Sequence, residues 1–334
     1  MAYSGIVLWM KVGKCMTEKS RGPSFVKDFF EGKPVSRPPF ILWGTSLGPR
    51  VVKCTVMEQL SDPNLIATNV SQCFNLFSPD AIVTGFPHQF PIAACEISAN
   101  PMSVSLDQDN RMYAAVLEGI KRVGLTLKNQ VALSVSIPGP VSFREQIRQS
   151  LSISSEDHGA MEDITDSISE VMSKLISSFL ERDISIIAIV ESLKSVNEIY
   201  DQSKDKVAQV LDTLLNIISY HNKYTILVID DIPLKSDQLQ TLVSFDQIDG
   251  FLVHHNSCPE AFELPVAVGA TIPDGVFDET KDLKQNSEAQ KEFLKNFSQG
   301  TSSFFLSTGQ EIADTSSFAA LRAFGEVIRG QGQA

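Results

Sequence analysis

At 334 residues, with 43% apolar and 20% charged side chains, the chain can build one large core and carries too little charge for extended disorder. Its 28 Lys plus Arg against 40 Asp plus Glu leave a formal charge of −12, which repels phosphate backbones and anionic lipid and argues against nucleic-acid or membrane partners. The five cysteines, Cys15, Cys54, Cys73, Cys95 and Cys258, are odd in number and form no C-x-x-C pair, a pattern of free thiols in a reducing, cytoplasmic setting.

Ile6 to Met10 is apolar but short, and Lys11 and Lys14 follow too soon for a bilayer span, so residues 1–23 read as an N-terminal extension and 24–330 as one domain. Ser24 to Glu31 has a cap residue and apolar positions at helical spacing, and Gly32 ends it. A proline-stiffened link leads into the strand Phe40–Trp43. Asp62-Pro63 opens a helix with Leu65, Ile66, Val70, Phe74 and Leu76 on one face, and Ala81–Val83 is a second strand. Pro87 to Pro101 is punctuated by proline and predicts an irregular cover over one end of the fold. Arg111 to Val123 is a helix, and Val131 to Ile137 a buried strand stopped by Pro138-Gly139-Pro140. Ser142 and Glu145 have capping-box spacing, which predicts a helix from Phe143. A strand passing through a glycine turn into a capped helix leaves backbone N–H groups where an anion could sit; it is also an ordinary βα loop.

After a polar break at Ser152 to Gly159, a helical stripe (Ile164, Ile168, Val171, Leu175, Phe179) feeds the apolar strand Ile184–Val190, and a second stripe (Val207, Leu211, Leu214, Ile218) feeds Tyr224–Ile229. A short helix at Asp237–Val243, strands at Gly250–Val253 and Pro265–Val268, a helix at Ala289–Phe297, a strand at Phe304–Leu306 and a closing helix at Ser316–Arg329 complete the order. Strands alternating with helices in this way predict an α/β fold, a (β/α)8 TIM barrel with an N-terminal helical extension. An open doubly wound sheet lacks its glycine fingerprint here, since the first strand runs into Trp43-Gly44-Thr45-Ser46-Leu47-Gly48.

Barrel chemistry belongs to the residues just after each strand. These are Trp43 and Arg50, then Phe86 and His88, the Gly139 turn, Glu191, Asp230, the pair His254-His255, and finally Thr308 and Gln310. Glu191, at the rim of an apolar strand, fits a carboxyl raised for proton transfer, and equally a helix cap or a partner of Lys194. Asp230-Asp231 before Ile-Pro reads as a solvated turn. Strand alternation lets only one of His254 and His255 face the mouth. No structural zinc spacing, nucleophile elbow, P-loop or H-E-x-x-H is present, so no metal is expected.

Four places together resemble the uroporphyrinogen decarboxylase superfamily of barrels, which includes corrinoid-dependent methyltransferases and is similar to the catalytic barrel of cobalamin-independent methionine synthase. They are Phe29 to Pro39, Gly139-Pro140-Val141-Ser142, Ala267 to Pro273, and Ser307 to Ile312 with its following helix. The resemblance implies a homodimer and a small organic substrate at the barrel mouth. Of the decarboxylases' arginine pair only Arg50 is matched, and their terminal histidine is matched by Gln310, which argues against a porphyrinogen substrate. The methyltransferases' zinc ligands are matched by Leu227 to Asp230 and by Gln310, so zinc loses its thiolates. What remains is methyl transfer with a corrinoid or folate-type carrier, a corrinoid protein as a partner, and no tightly bound cofactor. Glu191 with one of His254 and His255 would handle protons, Gln310 would polarise substrate, and Trp43, Arg50, Phe86, His88, Gly139, Asp230 and Thr308 would line the pocket. The alternatives are a metal-free decarboxylase of another substrate and a non-catalytic ligand-binding barrel.

Overall fold

The computed structural model describes residues 22–84, 90–99, 102–192, 195, 206–229, 231–235, 247–257, 266–273, 276–277, 280–297, 304–308 and 317–330. Helix α1 (Pro23–Phe30) precedes strand β1 (Phe40–Trp43), and α2 (Gly44–Val52), α3 (Val56–Ser61) and α4 (Pro63–Phe77) lead to β2 (Ala81–Val83). The short α5 (Phe90–Ala93) and a hairpin of β3 (Cys95–Ala99) and β4 (Met102–Leu106) follow, then α6 (Arg111–Thr126) and β5 (Ala132–Pro138). The chain continues through α7 (Pro140–Ser150), α8 (His158–Leu180), β6 (Ile186–Val190), α9 (Lys206–Tyr220), β7 (Tyr224–Ile229), β8 (Gly250–Val253) and β9 (Ala267–Thr271). Helix α10 (Leu283–Phe297), β10 (Phe304–Ser307) and α11 (Phe318–Ile328) close it.

Eight strands form a closed parallel barrel in the order β1, β2, β5, β6, β7, β8, β9, β10, with β10 pairing back onto β1. The chain is therefore an α/β (β/α)8 barrel, and every predicted barrel strand is present. Strand β9 lies later than predicted, and the segment expected to be an irregular cover, Pro87 to Pro101, instead contributes β3, which pairs antiparallel with β4 just beyond it. The predicted helix at Asp237–Val243 lies outside the described residues. Among the described residues no helix is long and apolar enough to cross a membrane.

The period of two along each strand sorts side chains into two cores. The inner one takes residues from all eight barrel strands: Ile41 and Trp43, Ala81 and Val83, Ala132, Ile186 and Ala188, Ile226 and Val228, Leu252, Ala267, and Phe305. Phe25, Val26 and Phe29 of α1 join this cluster, so α1 stoppers the N-terminal end of the barrel. A side chain at Gly269 would begin 2.2 Å from the Phe305 ring, so that glycine is what lets Phe305 fill the axis. The outer core takes the opposite parity, including Ile187, Ile189, Phe251 and Val253, packed on the helices.

At the same N-terminal end, Arg37 forks onto Asp80, with Nη1 to Oδ2 and Nη2 to Oδ1 both at 2.6 Å, and Asp80 also accepts the Phe40 N–H at 2.9 Å. The guanidinium lies 4.6 Å from the Phe25 ring centroid. The Arg37-Pro38 link thus binds α1, β1 and β2 together by a buried, hydrogen-bonded ion pair at the end opposite the mouth.

Candidate active site

The polar groups at the C-terminal strand ends fall into two assemblies. The first runs along four neighbouring strands, β8, β9, β10 and β1. Trp43, Thr271 and Ser307 each extend the inward parity of their strands. The Trp43 indole Nε1 donates to Ser307 Oγ at 3.0 Å, and its backbone N–H donates to Thr308 Oγ1 at 3.0 Å. The Thr308 hydroxyl therefore extends the β1–β10 seam past its last backbone pair. The Ser307 carbonyl accepts from Ile272 N at 2.7 Å, linking β10 to β9. Thr271 Oγ1 accepts the His255 N–H at 3.2 Å and lies 3.4 Å from His255 Nδ1.

The histidine pair departs from the alternation expected of it. Strand β8 ends at Val253, so the backbone is already turning at His254, and the two rings stack 4.2 Å apart at 27° instead of pointing to opposite faces. His254 Nδ1 accepts the Asn256 N–H at 3.1 Å, and both rings are half-buried. Trp43, Thr308, His254 and His255 are thus drawn into one arc with Thr271 and Ser307. These last two went unsingled because a lone hydroxyl at a strand end carries no sequence signal beyond its parity.

The second assembly is at β5 and β6. Val190 points inward, so Glu191 continues the outward row of Ile187 and Ile189 and turns toward α7, where it is fully buried. Its Oε1 accepts the Val141 N–H at 2.9 Å, and its Oε2 accepts the Ser142 N–H at 3.1 Å and the Ser142 hydroxyl at 2.5 Å. This accounts for every N–H at the start of α7. Gly139 N–H goes to Val190 O at 2.7 Å, Pro140 has none, Val141 and Ser142 take Glu191, and Phe143 N–H takes Gly139 O at 2.8 Å. Helix α7 accordingly starts at Pro140 with Gly139 as N-cap, not at Phe143. Ser142 is inside the first turn and Glu145 pairs with Arg148, so the expected capping box does not form. The anion at this helix N-terminus is supplied by the chain itself.

Gly139 is required for that arrangement, since a Cβ there would lie 2.2 Å from Glu191 Oε1. Burial pushes the Glu191 carboxyl up to about 7, against hydrogen bonds from Ser142, Val141 and Ser195 that pull it down. Ser195 is in turn 2.8 Å from Ser192, hydroxyl to hydroxyl, so a short row of hydroxyls runs from the carboxyl into the loop after β6.

Arg50 is in the last turn of α2 and its guanidinium lies 4.8 Å from the Phe318 ring centroid, between α2 and α11. Arg144, one turn into α7, is buried and was not singled out from sequence. Phe86, His88, Asp230 and Gln310 lie outside the described residues. Among the described residues no three His, Cys, Asp or Glu side chains lie close enough to hold a metal. The end of β7, where the resemblance puts zinc ligands, brings the buried apolar Leu227, Val228 and Ile229. Those three side chains offer zinc no donor.

A cavity of about 830 Å³ opens at the other end of the barrel, between α1, the α9–β7 turn and the start of β8, with Lys27, Lys223, Tyr224 and Asp249 in its wall. Burial raises the Asp249 carboxyl and the Tyr224 phenol. Its size alone does not make it the active site, because in parallel barrels that face carries stability and the other carries chemistry.

No family model matches the chain, and no curated protein sequence matches it. Among solved structures it is similar to a methyltransferase from Methanosarcina mazei, at 18% identity and a TM-score of 0.70, over 92% of this chain and 98% of that one. It is also similar to a B12-independent methionine synthase from Shewanella sp. W3-18-1, at 14% identity and a TM-score of 0.55, over 80% and 89% of the two chains. A GH5_18 protein from Bifidobacterium longum subsp. infantis follows at 12% identity and a TM-score of 0.52, over 89% and 80%. Shared with all three is the barrel. At these identities the likeness shows the fold.

Proposed function

We propose that the chain is a divergent barrel methyltransferase of the uroporphyrinogen decarboxylase type, acting on a small organic molecule over the arc of Trp43, His254, His255, Thr271 and Ser307. The observation that carries this reading is the likeness to the Methanosarcina mazei methyltransferase, which spans nearly the whole of both chains. The likeness to a methionine synthase supports the same class.

In this reading the methyl carrier, a corrinoid or a folate, approaches the open mouth of a dimeric enzyme, and the barrel's task is to hold the acceptor atom in line and take its proton. The histidine pair takes that proton. Thr271 fixes the His255 backbone and ring, and the Trp43 indole, anchored on Ser307, forms a flat wall against which the substrate is oriented. Gln310 polarises the substrate, with Arg50, Phe86, His88, Asp230 and Thr308 lining the pocket. Glu191 acts from behind the wall, through the α7 turn. In this reading the acceptor is activated by a protein base.

The test is to incubate the purified protein with cob(I)alamin and a panel of methylated thiols, amines and alcohols, following methylcobalamin by absorbance, with methyltetrahydrofolate as the alternative donor. Methyl transfer lost in His254→Gln and His255→Gln is the expected result. Carbon dioxide release from a carboxylate panel with no methyl transfer would make the chain a decarboxylase instead.

A further inference from the structure

The cleft at the N-terminal end of the barrel has charge built into its wall. Helix α1 forms one side with Ser24 and Lys27, and the turn between α9 and β7 forms another with Asn222 and Lys223. Buried Thr225 on β7 and Asp249 just before β8 complete it. The backbone joins these last two, since the Asp249 N–H donates to Thr225 O at 3.1 Å and the Thr225 N–H donates to Asp249 Oδ2 at 2.8 Å. The carboxyl is thereby fixed in place. Asn222 is in the left-handed region at φ 54°, and the Lys223 N–H returns to Ile218 O at 3.2 Å, so the turn that presents Lys223 is fixed as well. Tyr224 stacks on Phe30 with ring centroids 5.0 Å apart at 22°, which ties β7 to α1 beside the cleft.

Two opposite poles stand apart in this cleft. Burial raises the Asp249 carboxyl and amide hydrogen bonds lower it, and Lys223 is not among the groups acting on it. A carboxylate that has lost hydration gains from an ammonium group brought to it, and a lysine gains in the same way from a carboxylate. Lys27 is already engaged, 3.6 Å from Glu31. At about 830 Å³ the space is that of a small-metabolite cavity, which runs to roughly 300–1,000 Å³. We propose that this cleft binds a small zwitterion of the amino-acid type, its ammonium group on Asp249 and its carboxylate on Lys223 and the Asn222 amide. The two poles come from different elements, so a molecule with only one of the two charges meets half of the site. The site is at the opposite end from the mouth and is independent of the reaction performed there.

The test is calorimetric titration of the full chain with the L-amino acids, each compared with its N-acetyl and its carboxamide form. Saturable binding of at least one free amino acid, weakened about tenfold or more by either modification, is the expected result. Lys223→Ser and Asp249→Asn should each weaken that binding by about the same factor, and His254→Gln, at the mouth, should leave it unchanged. Lys223 is half-exposed, so its variant gives a reading even if Asp249→Asn disturbs the seam between β7 and β8. Failure of every amino acid to bind at millimolar concentration, or binding that Lys223→Ser and N-acetylation leave unchanged, would overturn the proposal. Binding lost in His254→Gln and kept in Lys223→Ser would overturn it too, by placing the amino acid at the mouth.

Discussion

At β5 and β6 the polar groups of the mouth turn outward and satisfy one another, whereas at β8, β9, β10 and β1 they turn inward toward the barrel axis. Glu191 and Ser142 close on each other across two strand ends, and the first turn of α7 is left with no spare donor. Trp43, Thr271 and Ser307 are also bonded, but on the inward face, and the stacked histidines above them remain half-buried. The difference comes from register. Val190 takes the inward position and sends Glu191 out, while β8 stops at Val253 and frees both histidines from strand alternation. A charged residue after a barrel strand is thus a site residue only on one parity, and on the other it holds a helix.

The largest expected effect separates these roles by stability. Gly139→Ala places a methyl group 2.2 Å from the buried Glu191 carboxyl and must displace it from the first turn of α7, which should destabilise the fold by about 3 kcal/mol in chemical denaturation. If Gly139→Ala were as stable as the natural protein, the clamp between β5 and β6 would not exist as described. Next is the pH dependence of Glu191. Its folded value, about 7, lies above the free value of 4.5, so its contribution is complete below pH 4.5 and is lost as pH rises through 7. Relative to Glu191→Gln, the natural protein should lose up to about 3 kcal/mol of unfolding free energy over that window, read from denaturation midpoints at pH 5 and pH 8. A constant difference between the two proteins across pH would remove Glu191 as the titrating group.

The barrel was legible because apolar strands such as Ile186–Val190 and stripes such as that of α8 are repeated, and each repeat restricts the topology of the rest. Helices α2 and α3 were not, since Gly44–Val52 holds glycine and an internal proline and has little periodicity to read. The turn at Gly139 was visible, but not what fills it. Ser142 and Glu145 matched a local capping rule, while the true partner is 49 residues further along the chain and becomes available only once β5 and β6 pair. Conversely, strand alternation was applied to His254 and His255 one residue past the point where the strand ends. Local rules held where the partner was local.

Smaller effects should come from the arc, and there the comparison turns on function. Trp43→Phe removes an indole donor and leaves the Ser307 hydroxyl short of one partner, which should lower stability by about 1 kcal/mol and, on the proposed function, reduce methyl transfer more strongly. The finest discrimination is Thr271→Val. Valine keeps the branched shape and loses only the oxygen that accepts the His255 N–H at 3.2 Å and faces Nδ1 at 3.4 Å. The strand around it is unaltered, so the unfolding free energy should fall by less than about 1 kcal/mol. The ring, however, loses the group that fixes its orientation and helps choose which nitrogen carries the proton. A fall in turnover with a shifted pH profile and a near-natural melting temperature would mark the arc as chemical. A loss of stability matching that of Gly139→Ala, with turnover per folded molecule unchanged, would make it one more structural seam.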